Sequence, residues 1–303
     1  MAVFEVVAMA LAPERHVAAF VDHFRRKGAA RVRVYFDSAA APAPDAVGLA
    51  EGELIVCDDA FWSALGGRPA TVEDRQRGVY GAAYRSLAAD WLLVVDIDER
   101  LFGAVSPAAV LEAVPADCES VIFETVEAVW RSGDDLNLEY GASLARKSYS
   151  GPFWSELSNG LYPGAGKFFV RGLLGHHMGK HAVRRGLADI TVCIHESKRA
   201  EVPLKAARAR DLGAGGRAWL LHYDAISLDG WRAKWDRRLA VGDTAECGRR
   251  RRRQQTDYAE ARAAGREAAL FERLYALTPV QAWILRRLGL LLDIPSPRWP
   301  TRD

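Results

Sequence analysis

The chain has 303 residues, of which 50% are hydrophobic and 26% charged, a composition typical of a globular protein with a substantial core. Its 41 Lys and Arg residues nearly balance 39 Asp and Glu residues, so the formal net charge is only +2. This balance excludes recognition of nucleic acid through a strong overall positive field, and we expect no nucleic-acid partner. The N-terminus has no basic leader and no long uncharged run occurs, so we expect a cytoplasmic protein.

The four cysteines are far apart in the sequence and form no Cys-x-x-Cys pair. They are Cys57, Cys118, Cys193 and Cys247. This spacing predicts reduced, packed thiols and not a disulfide framework or a zinc site.

Strand and helix patterns alternate along the N-terminal part of the chain. The apolar spacing predicts strand 3–11, helix 13–29, strand 31–38, strand 52–59, helix 71–91 and strand 92–95. Such alternation is typical of a parallel sheet with helices packed on it. The predicted fold class is therefore α/β, with a mostly parallel central sheet flanked by helices.

Carboxylates follow three of these strands. Asp37 ends the second strand, Asp58 or Asp59 ends the third, and Asp96 and Asp98 follow the fourth. Ligands of open parallel sheets bind outside the carboxyl ends of the strands, so we expect these acids at one edge. If Asp96 and Asp98 are extended they point the same way, and their oxygens suit Mg²⁺ or Mn²⁺ carrying a diphosphate. The alternative is that these acids cap helices or form surface turns.

Further motifs follow in order along the chain, in the stretches "FVDHFRRKGAARVRVYFD", "WLLVVDIDE", "GAGKFFVRG" and "LLHYDAISLDGWRAKW". The residues that carry them are Glu14, His23, Gly28, Asp37, Gln76, Trp91, Asp96, Asp98, Glu99, Gly166, Lys167, Arg171, His222, Tyr223, Ser227, Trp231 and Lys234. Their order and spacing over roughly 3–238 resemble the GT-A-fold glycosyltransferases, in particular the bacterial family-2-like and family-92-like enzymes. Arg100 departs from that pattern, because an aromatic residue usually follows the acidic triplet.

The resemblance implies a GT-A catalytic domain over 1–238 that uses a nucleoside-diphosphate sugar as donor and Mn²⁺ or Mg²⁺ as cofactor. It implies that Asp98 holds the ion directly and that Asp96 supports the ion or holds the ribose. Asp37 is expected at the nucleoside. His222 is a candidate third metal ligand. The alternative for His222 is an ordinary strand-end residue.

The same resemblance places Glu14, Gln76 and Lys167 on the donor side. Lys167 is a compact charge that suits a phosphate, although a solvated surface residue is the alternative. If the stretch around Lys167 is a strand, Lys167 and Arg171 lie partly opposite the apolar residues between them. Glu99 is expected to support the metal site or to face the acceptor.

An inverting transferase also needs a carboxylate base at the acceptor hydroxyl. Four acids after the metal motif are candidates: Glu124, Glu127, Asp134 and Asp135. Family position favours Glu127, and a salt-bridged edge strand is the alternative. The nearby histidines 176, 177 and 181 are expected in a loop near the active site and not at a zinc site.

The region 239–303 differs in composition and is predicted to be a basic, helical appendage. Five arginines occupy 249–253, and 257–277 has the apolar stripe of one amphipathic helix. Such a region suits contact with the inner face of a membrane that carries a lipid-linked acceptor. The alternative is a helical cap on the catalytic domain with a solvated arginine loop.

The sequence therefore predicts an inverting, metal-dependent glycosyltransferase acting on a glycan or lipid-linked acceptor. One alternative is a non-catalytic GT-A-like protein, with Arg100 marking a decayed site and the basic region binding nucleotide, nucleic acid or lipid head groups. A second alternative is a phosphohydrolase with Asp96 as nucleophile, but Asp96 follows several strand and helix units instead of the first strand.

Overall fold

The computed structural model describes residues 1–212, 217–241 and 249–294. Its strands are β1 (Phe4–Ala10), β2 (Arg31–Phe36), β3 (Leu54–Val56), β4 (Trp91–Val94), β5 (Glu99–Gly103), β6 (Ser120–Phe123), β7 (Thr125–Arg131), β8 (Leu144–Lys147), β9 (Lys180–Arg184), β10 (Ile190–Val192), β11 (Ser197–Arg199), β12 (Val202–Pro203), β13 (Ala206–Arg208), β14 (Ala218–His222), β15 (Ala276–Leu277) and β16 (Leu291–Asp293). Its helices are α1 (Glu14–Arg26), α2 (Asp59–Ala64), α3 (Val72–Arg85), α4 (Pro107–Glu112), α5 (Trp154–Leu161), α6 (Leu228–Val241), α7 (Arg249–Ala263), α8 (Glu267–Tyr275) and α9 (Pro279–Arg287).

The described chain forms two compact units. Unit 1 contains Met1–Glu124 and Met178–Leu220, and unit 2 contains Thr125–His177 with the described residues from Leu221 onward. The division into a catalytic domain over 1–238 and an appendage over 239–303 stays a prediction.

The main sheet of unit 1 has, within the described ranges, seven strands in the order β13-β6-β9-β4-β1-β2-β3. Strands β1, β2, β3 and β4 run parallel to their neighbours in this set, and β6 runs parallel to β13. Strand β9 is antiparallel to both β4 and β6. The predicted class, an α/β fold with a mostly parallel central sheet flanked by helices, is confirmed.

Alternation along β1 fixes how helices cover this sheet. Val6 packs in the same cluster as Phe20 of α1, whereas its neighbour Val7 packs in another cluster with Tyr80 of α3. Successive strand residues point to opposite faces, so a strand buried on both faces needs a helix on each side. All seven residues of β1 are buried, and this holds the strand ends of the sheet in place.

Unit 2 has its own small sheet and an aromatic cluster. Strand β8 is antiparallel to β7 and to β16, and β15 runs parallel to β7. Trp231 of α6 packs edge-on against Tyr258 of α7 at 5.0 Å and against Phe271 of α8 at 5.4 Å between ring centroids. These contacts hold three of the C-terminal helices together.

One prediction about the C-terminal region is wrong, and so is one feature of its alternative, the arginine loop. The single helix over 257–277 is interrupted, because α7 ends at Ala263, α8 begins at Glu267, and Gly265 between them has φ +62°. Glycine adopts this left-handed conformation readily and commonly ends helices. The arginines 249–253 form the start of α7 and not a loop.

Further observations concern the helices and the cysteines of the described chain. None of the helices in it combines the length and hydrophobicity that crossing a bilayer requires. Cys57, Cys118 and Cys193 are free thiols. Cys247 lies outside the described residues.

Candidate functional site

The carboxyl edge of the unit 1 sheet carries an acid after each of three strands. Asp37 follows β2, Asp96 follows β4 by one residue, and Glu124 follows β6 directly. These strands point the same way, because β4 and β6 are both antiparallel to β9 and β4 and β2 are both parallel to β1. Asp37 and Asp96, two acids of the predicted edge, thus follow parallel strands of unit 1, and Glu124 joins them there without having been predicted at this edge.

Asp96 is fixed by side chains from α3 and β9. Its Oδ1 accepts hydrogen bonds from the Gln76 amide at 3.1 Å and the Tyr80 hydroxyl at 3.5 Å. Its Oδ2 accepts one from the Lys180 ammonium at 2.7 Å. The Lys180 side chain is fully buried, whereas that of Asp96 is 28% exposed. Both oxygens of Asp96 are thus held by the protein while its outer side faces solvent.

The pKa values of the two donors suit this arrangement. Burial lowers the pKa of Lys180, but the carboxylates of Asp96 and Glu99 outweigh burial and raise it above the usual lysine value. Burial and the same carboxylates raise the pKa of Tyr80. Lys180 therefore stays charged and Tyr80 stays protonated at neutral pH, so both remain donors to Asp96.

Asp98 lies on a tight turn, which corrects the assumption that Asp96 and Asp98 are extended. The turn between β4 and β5 closes with a bond from the Glu99 amide to the Asp96 carbonyl at 3.1 Å. The Asp96 amide donates to the carboxylate of buried Glu99 at 2.7 Å. Asp98, within the turn, is half-buried like Asp96. The two carboxylates therefore belong to one closed, half-buried turn, in which Gln76, Tyr80 and Lys180 hold Asp96.

Arg100 supports this turn. Its guanidinium donates to the carbonyl oxygens of Ile97 and Glu99, each at 2.8 Å, and packs over the Phe20 ring at 5.3 Å. Arg100 is almost completely buried. The departure from the family pattern thus has a structural role in holding the acidic turn, which weakens its interpretation as a mark of decay.

Asp37 is neutralised by two arginines. Its carboxylate pairs with Arg68 at 2.7 Å and with Arg75 of α3 at 3.0 Å. The Arg68 side chain is half exposed, whereas that of Arg75 is mostly buried. The predicted contact of Asp37 with a nucleoside stays a prediction, and Arg68 is the more accessible group beside it.

Asp58 and Glu14 have simpler surroundings. The Asp58 carboxylate accepts a hydrogen bond from the Phe61 amide at 2.8 Å and caps α2, as the alternative interpretation of these acids expected. Asp59 is the first residue of α2. Glu14 is exposed at the first position of α1, and its donor-side role stays a prediction.

Glu127, the favoured candidate for the catalytic base, belongs to unit 2 and is completely buried in β7. Arg146 donates to its carboxylate through two nitrogens, with the Nε bond at 2.7 Å. The amides of Leu174 and Gly175 donate to the same carboxylate at 3.1 and 2.7 Å. Glu127 stays a predicted base, but these four donors favour a structural role.

His222 ends β14 and is buried in unit 2 beside His176. The two imidazole rings lie 5.0 Å apart between centroids, and a Cβ at Gly175 would lie 2.6 Å from the His222 ring. Only glycine permits this approach of the 175–177 segment to the ring. Whether His222 binds a metal stays a prediction.

The remaining histidine and lysine predictions are partly corrected. His181 lies in β9 and not in a loop, and its Nε2 is 2.8 Å from the Ser197 hydroxyl. Lys167 lies in a 3-10 turn, Gly166–Phe168, and not in a strand. It pairs with Asp257 of α7 at 3.1 Å, and its contact with a donor stays a prediction.

Sequence reasoning missed the basic residues of the unit 1 site. Lys180 is separated from Asp96 by 84 positions, and Arg75 from Asp37 by 38. Lys180 lies in β9 and Arg75 in α3, and each comes close to its acid only when the sheet and its helices have assembled. The one local signal was a lysine at the first position of a short strand, "KHAVR", directly after Gly179.

The residues of this edge fit a divalent cation held by one carboxylate. Hard cations prefer oxygen ligands and commonly use one or two carboxylates with substrate phosphates. Asp96 bonds to Lys180, Glu99 accepts a bond from the turn backbone, and Asp98 is half-buried in the same turn. Within unit 1, the assignment of Asp98 as the direct ligand and of Asp96 as its support stays a prediction.

Comparisons with known proteins give a structural likeness only. No protein-family model and no curated protein sequence matches the chain. A solved structure described as a mycobacterial protein is 15% identical with a TM-score of 0.35, and the match covers 64% of this chain and 59% of that one.

Structures of glucosyl-3-phosphoglycerate synthase from Mycobacterium tuberculosis also match. The complex with Mn²⁺, UDP-glucose and phosphoglyceric acid is 13% identical with a TM-score of 0.31, over 61% of this chain and 57% of that one. The complex with Mg²⁺ and UDP is 14% identical with a TM-score of 0.32, over the same shares. The chain thus spans less than two thirds of these structures, and a likeness of this size carries no inference about activity.

Proposed function

We propose that the chain is a metal-dependent glycosyltransferase that moves a sugar from a nucleoside diphosphate to a glycan or lipid-linked acceptor, as in polysaccharide biosynthesis. The observation that supports this most is the acidic turn at the carboxyl edge of the unit 1 sheet. There, half-buried Asp96 and Asp98 lie on one turn in the place where parallel sheets bind ligands, and Gln76 and Lys180 hold Asp96.

In this proposal each residue of the turn has a separate task. Asp98 holds Mn²⁺ or Mg²⁺, which when bound offsets the charge that develops on the departing diphosphate. Asp96, held by Gln76, Tyr80 and Lys180, supports the ion or accepts a hydrogen bond from a ribose hydroxyl. Buried Glu99 and Arg100 keep the turn closed, so neither carboxylate has to reorganise when the donor binds.

Other expectations belong to the same proposal. The donor side includes Asp37 with Arg68, and an inverting displacement by the acceptor hydroxyl is the expected course. His222 as a metal ligand, Lys167 as a phosphate contact and a cytoplasmic location are further parts of it. The competing proposal is a non-catalytic nucleotide-binding protein, which the same acidic turn would also support.

A thermal-shift screen of the full chain tests the proposal. UDP, GDP and ADP are each added with and without Mn²⁺, and we expect one of them to raise the melting temperature only when the ion is present. A ligand at 100 times its Kd adds about 2.7 kcal/mol of stability. No shift with any pair would remove the proposal.

Measurement of turnover then distinguishes the glycosyltransferase from the non-catalytic nucleotide-binding protein. The corresponding UDP-, GDP- or ADP-linked hexoses are incubated with the chain and Mn²⁺, and release of the nucleoside diphosphate is measured. A nucleotide that binds without release from any of its sugars would favour the binding protein.

A further inference from the structure

Glu124 lies at the same level of the unit 1 sheet as Asp96. Leu93 of β4 and Val121 of β6 both pair with Ala182 of the intervening strand β9. Three residues further along their parallel directions come Asp96 and Glu124. Two strand spacings of about 4.8 Å separate their main chains by roughly 10 Å.

Lys180 confirms this closeness directly. Its backbone pairs with Phe123, the residue before Glu124, while its ammonium lies 2.7 Å from the Asp96 carboxylate. The approach is tight, because a Cβ at Gly179 would lie 2.4 Å from the Phe123 carbonyl oxygen. Gly179, with φ +83°, therefore lets the start of β9 pass close to the end of β6.

Glu124 is a buried carboxylate that the described residues leave without a hydrogen bond. Its side chain is only 10% exposed, and neither carboxylate oxygen has a hydrogen-bond partner in the described part of the chain. Arg208 and Arg210 form looser ion pairs with its Oε1 at 3.5 and 3.4 Å. Leaving such a group without hydrogen bonds costs free energy, and a catalytic role is one of the reasons for which a protein keeps one.

The charge state of Glu124 follows from opposing effects. Burial raises its pKa, and the two arginines partly oppose that shift. The result is a carboxylate more basic than an exposed one, with two cations beside it that favour its ionised form. Glu127 offers the opposite case, since four donors already occupy its carboxylate.

We infer that Glu124 is the general base of the sugar transfer proposed above, and this inference rests on that proposed function. The Glu124 carboxylate takes the proton from the acceptor hydroxyl as its oxygen bonds to the anomeric carbon. The bond from that carbon to the diphosphate oxygen breaks, and its electron pair leaves with the nucleoside diphosphate. Arg208 and Arg210 hold the carboxylate in place and ionised.

The test compares Glu124→Gln with Glu119→Gln in the full chain. Glu119 lies just before β6 and pairs with Arg199 at 2.8 Å, so its variant removes one carboxylate near the same strand without touching the site. The probe is the UDP-, GDP- or ADP-hexose that the wild type cleaves fastest with Mn²⁺, with water as the acceptor. Nucleoside diphosphate release, nucleotide affinity and melting temperature are measured for each protein.

We expect Glu124→Gln to lose about 10² to 10⁴ of the release rate while nucleotide affinity changes less than about twofold. Glu124→Asp should recover part of the rate, and Glu119→Gln should match the wild type. The rate of the wild type should also fall as pH drops and Glu124 is protonated, whereas the residual rate of Glu124→Gln should not follow that fall.

The outcomes distinguish this inference from the proposal beneath it. Release by Glu124→Gln within about threefold of the wild type, with a folded protein and normal nucleotide affinity, overturns the base assignment and leaves the glycosyltransferase intact. A wild type that neither binds nucleotide nor releases it removes the proposed function and this inference together.

Discussion

Loss of Asp98 should test the proposed metal site most directly. Asp98 is half-buried and is the proposed direct ligand, so Asp98→Asn should remove Mn²⁺-dependent nucleotide affinity with little change in melting temperature. Titration calorimetry with the nucleotide found in the screen measures it, and exposed Asp45→Asn serves as the matched control. Unchanged affinity in Asp98→Asn would show that another group holds the ion.

Loss of the Lys180 ammonium should lower the free energy of unfolding. Lys180→Met leaves the Asp96 and Glu99 carboxylates without their buried cation. Removing one partner of a buried pair costs about 3 to 5 kcal/mol, and the partial exposure of Asp96 favours the lower figure. Urea unfolding measures the loss, with half-buried Lys198→Met as the control. A loss no larger than that of the control would mean that water replaces the ammonium.

At the scale of the element, β9 contains a group that should make folding sensitive to acid. Burial is the main cause that lowers the pKa of His181 to about 3, whereas an unfolded histidine has a pKa of about 6.5. Between these values the unfolded chain binds more protons, so this contribution is complete above pH 6.5 and declines as pH falls toward 3. The slope is up to about 1.4 kcal/mol per pH unit.

His181→Gln keeps a side chain that can bond to Ser197 but carries no titrating group. We expect its unfolding free energy, measured in urea at pH 4, 5, 6 and 7, to decline less steeply than that of the wild type. Parallel pH dependences would show that His181 titrates alike in the folded and unfolded states.

Strands β7 and β8 are joined by the buried Glu127 and Arg146 pair. Glu127→Gln leaves the Arg146 guanidinium without its counter-charge, so we expect a loss of about 3 to 5 kcal/mol in unfolding free energy. The double variant Glu127→Leu with Arg146→Met should lose less than the sum of the single ones, because it removes both charges. A fully stable Glu127→Gln with lost turnover would instead restore Glu127 as the base.

The sequence predicted the features that depend on neighbours along the chain. Asp96 follows an apolar run, so both the strand and the acid at its end were visible. Lys180 could not be assigned to Asp96, because their contact depends on β9 entering the sheet antiparallel next to β4. The burial of Glu127 was hidden for the same reason, since Arg146 reaches it only through the pairing of β7 with β8. Gly265 was a local stop signal that the apolar stripe over 257–277 masked.

At the scale of the whole molecule, the charge of +2 gives no general attraction to an anionic surface, so a membrane contact must be local. Because the arginines lie in helix α7, they differ in whether their side chains can reach a membrane. Arg251 is half-buried, 3.5 Å from Asp224 and packed over Trp235, whereas Arg252 and Arg253 are exposed. The proposed contact with lipid head groups therefore depends on Arg252 and Arg253 more than on Arg251.

Replacing Arg252 and Arg253 by Gln should weaken sedimentation with phosphatidylserine vesicles. Each basic residue near an anionic surface is worth about 1 kcal/mol, so two together predict roughly thirtyfold weaker binding at low salt. The control replaces exposed Arg26 and Arg77 of unit 1 by Gln, which removes the same charge from elsewhere. Nucleotide release should be unaffected in both, because neither pair belongs to the acidic turn. Equal vesicle binding by all three proteins, or binding by none, would leave the arginines as a solvated face of α7 and direct the search for the acceptor to soluble glycans.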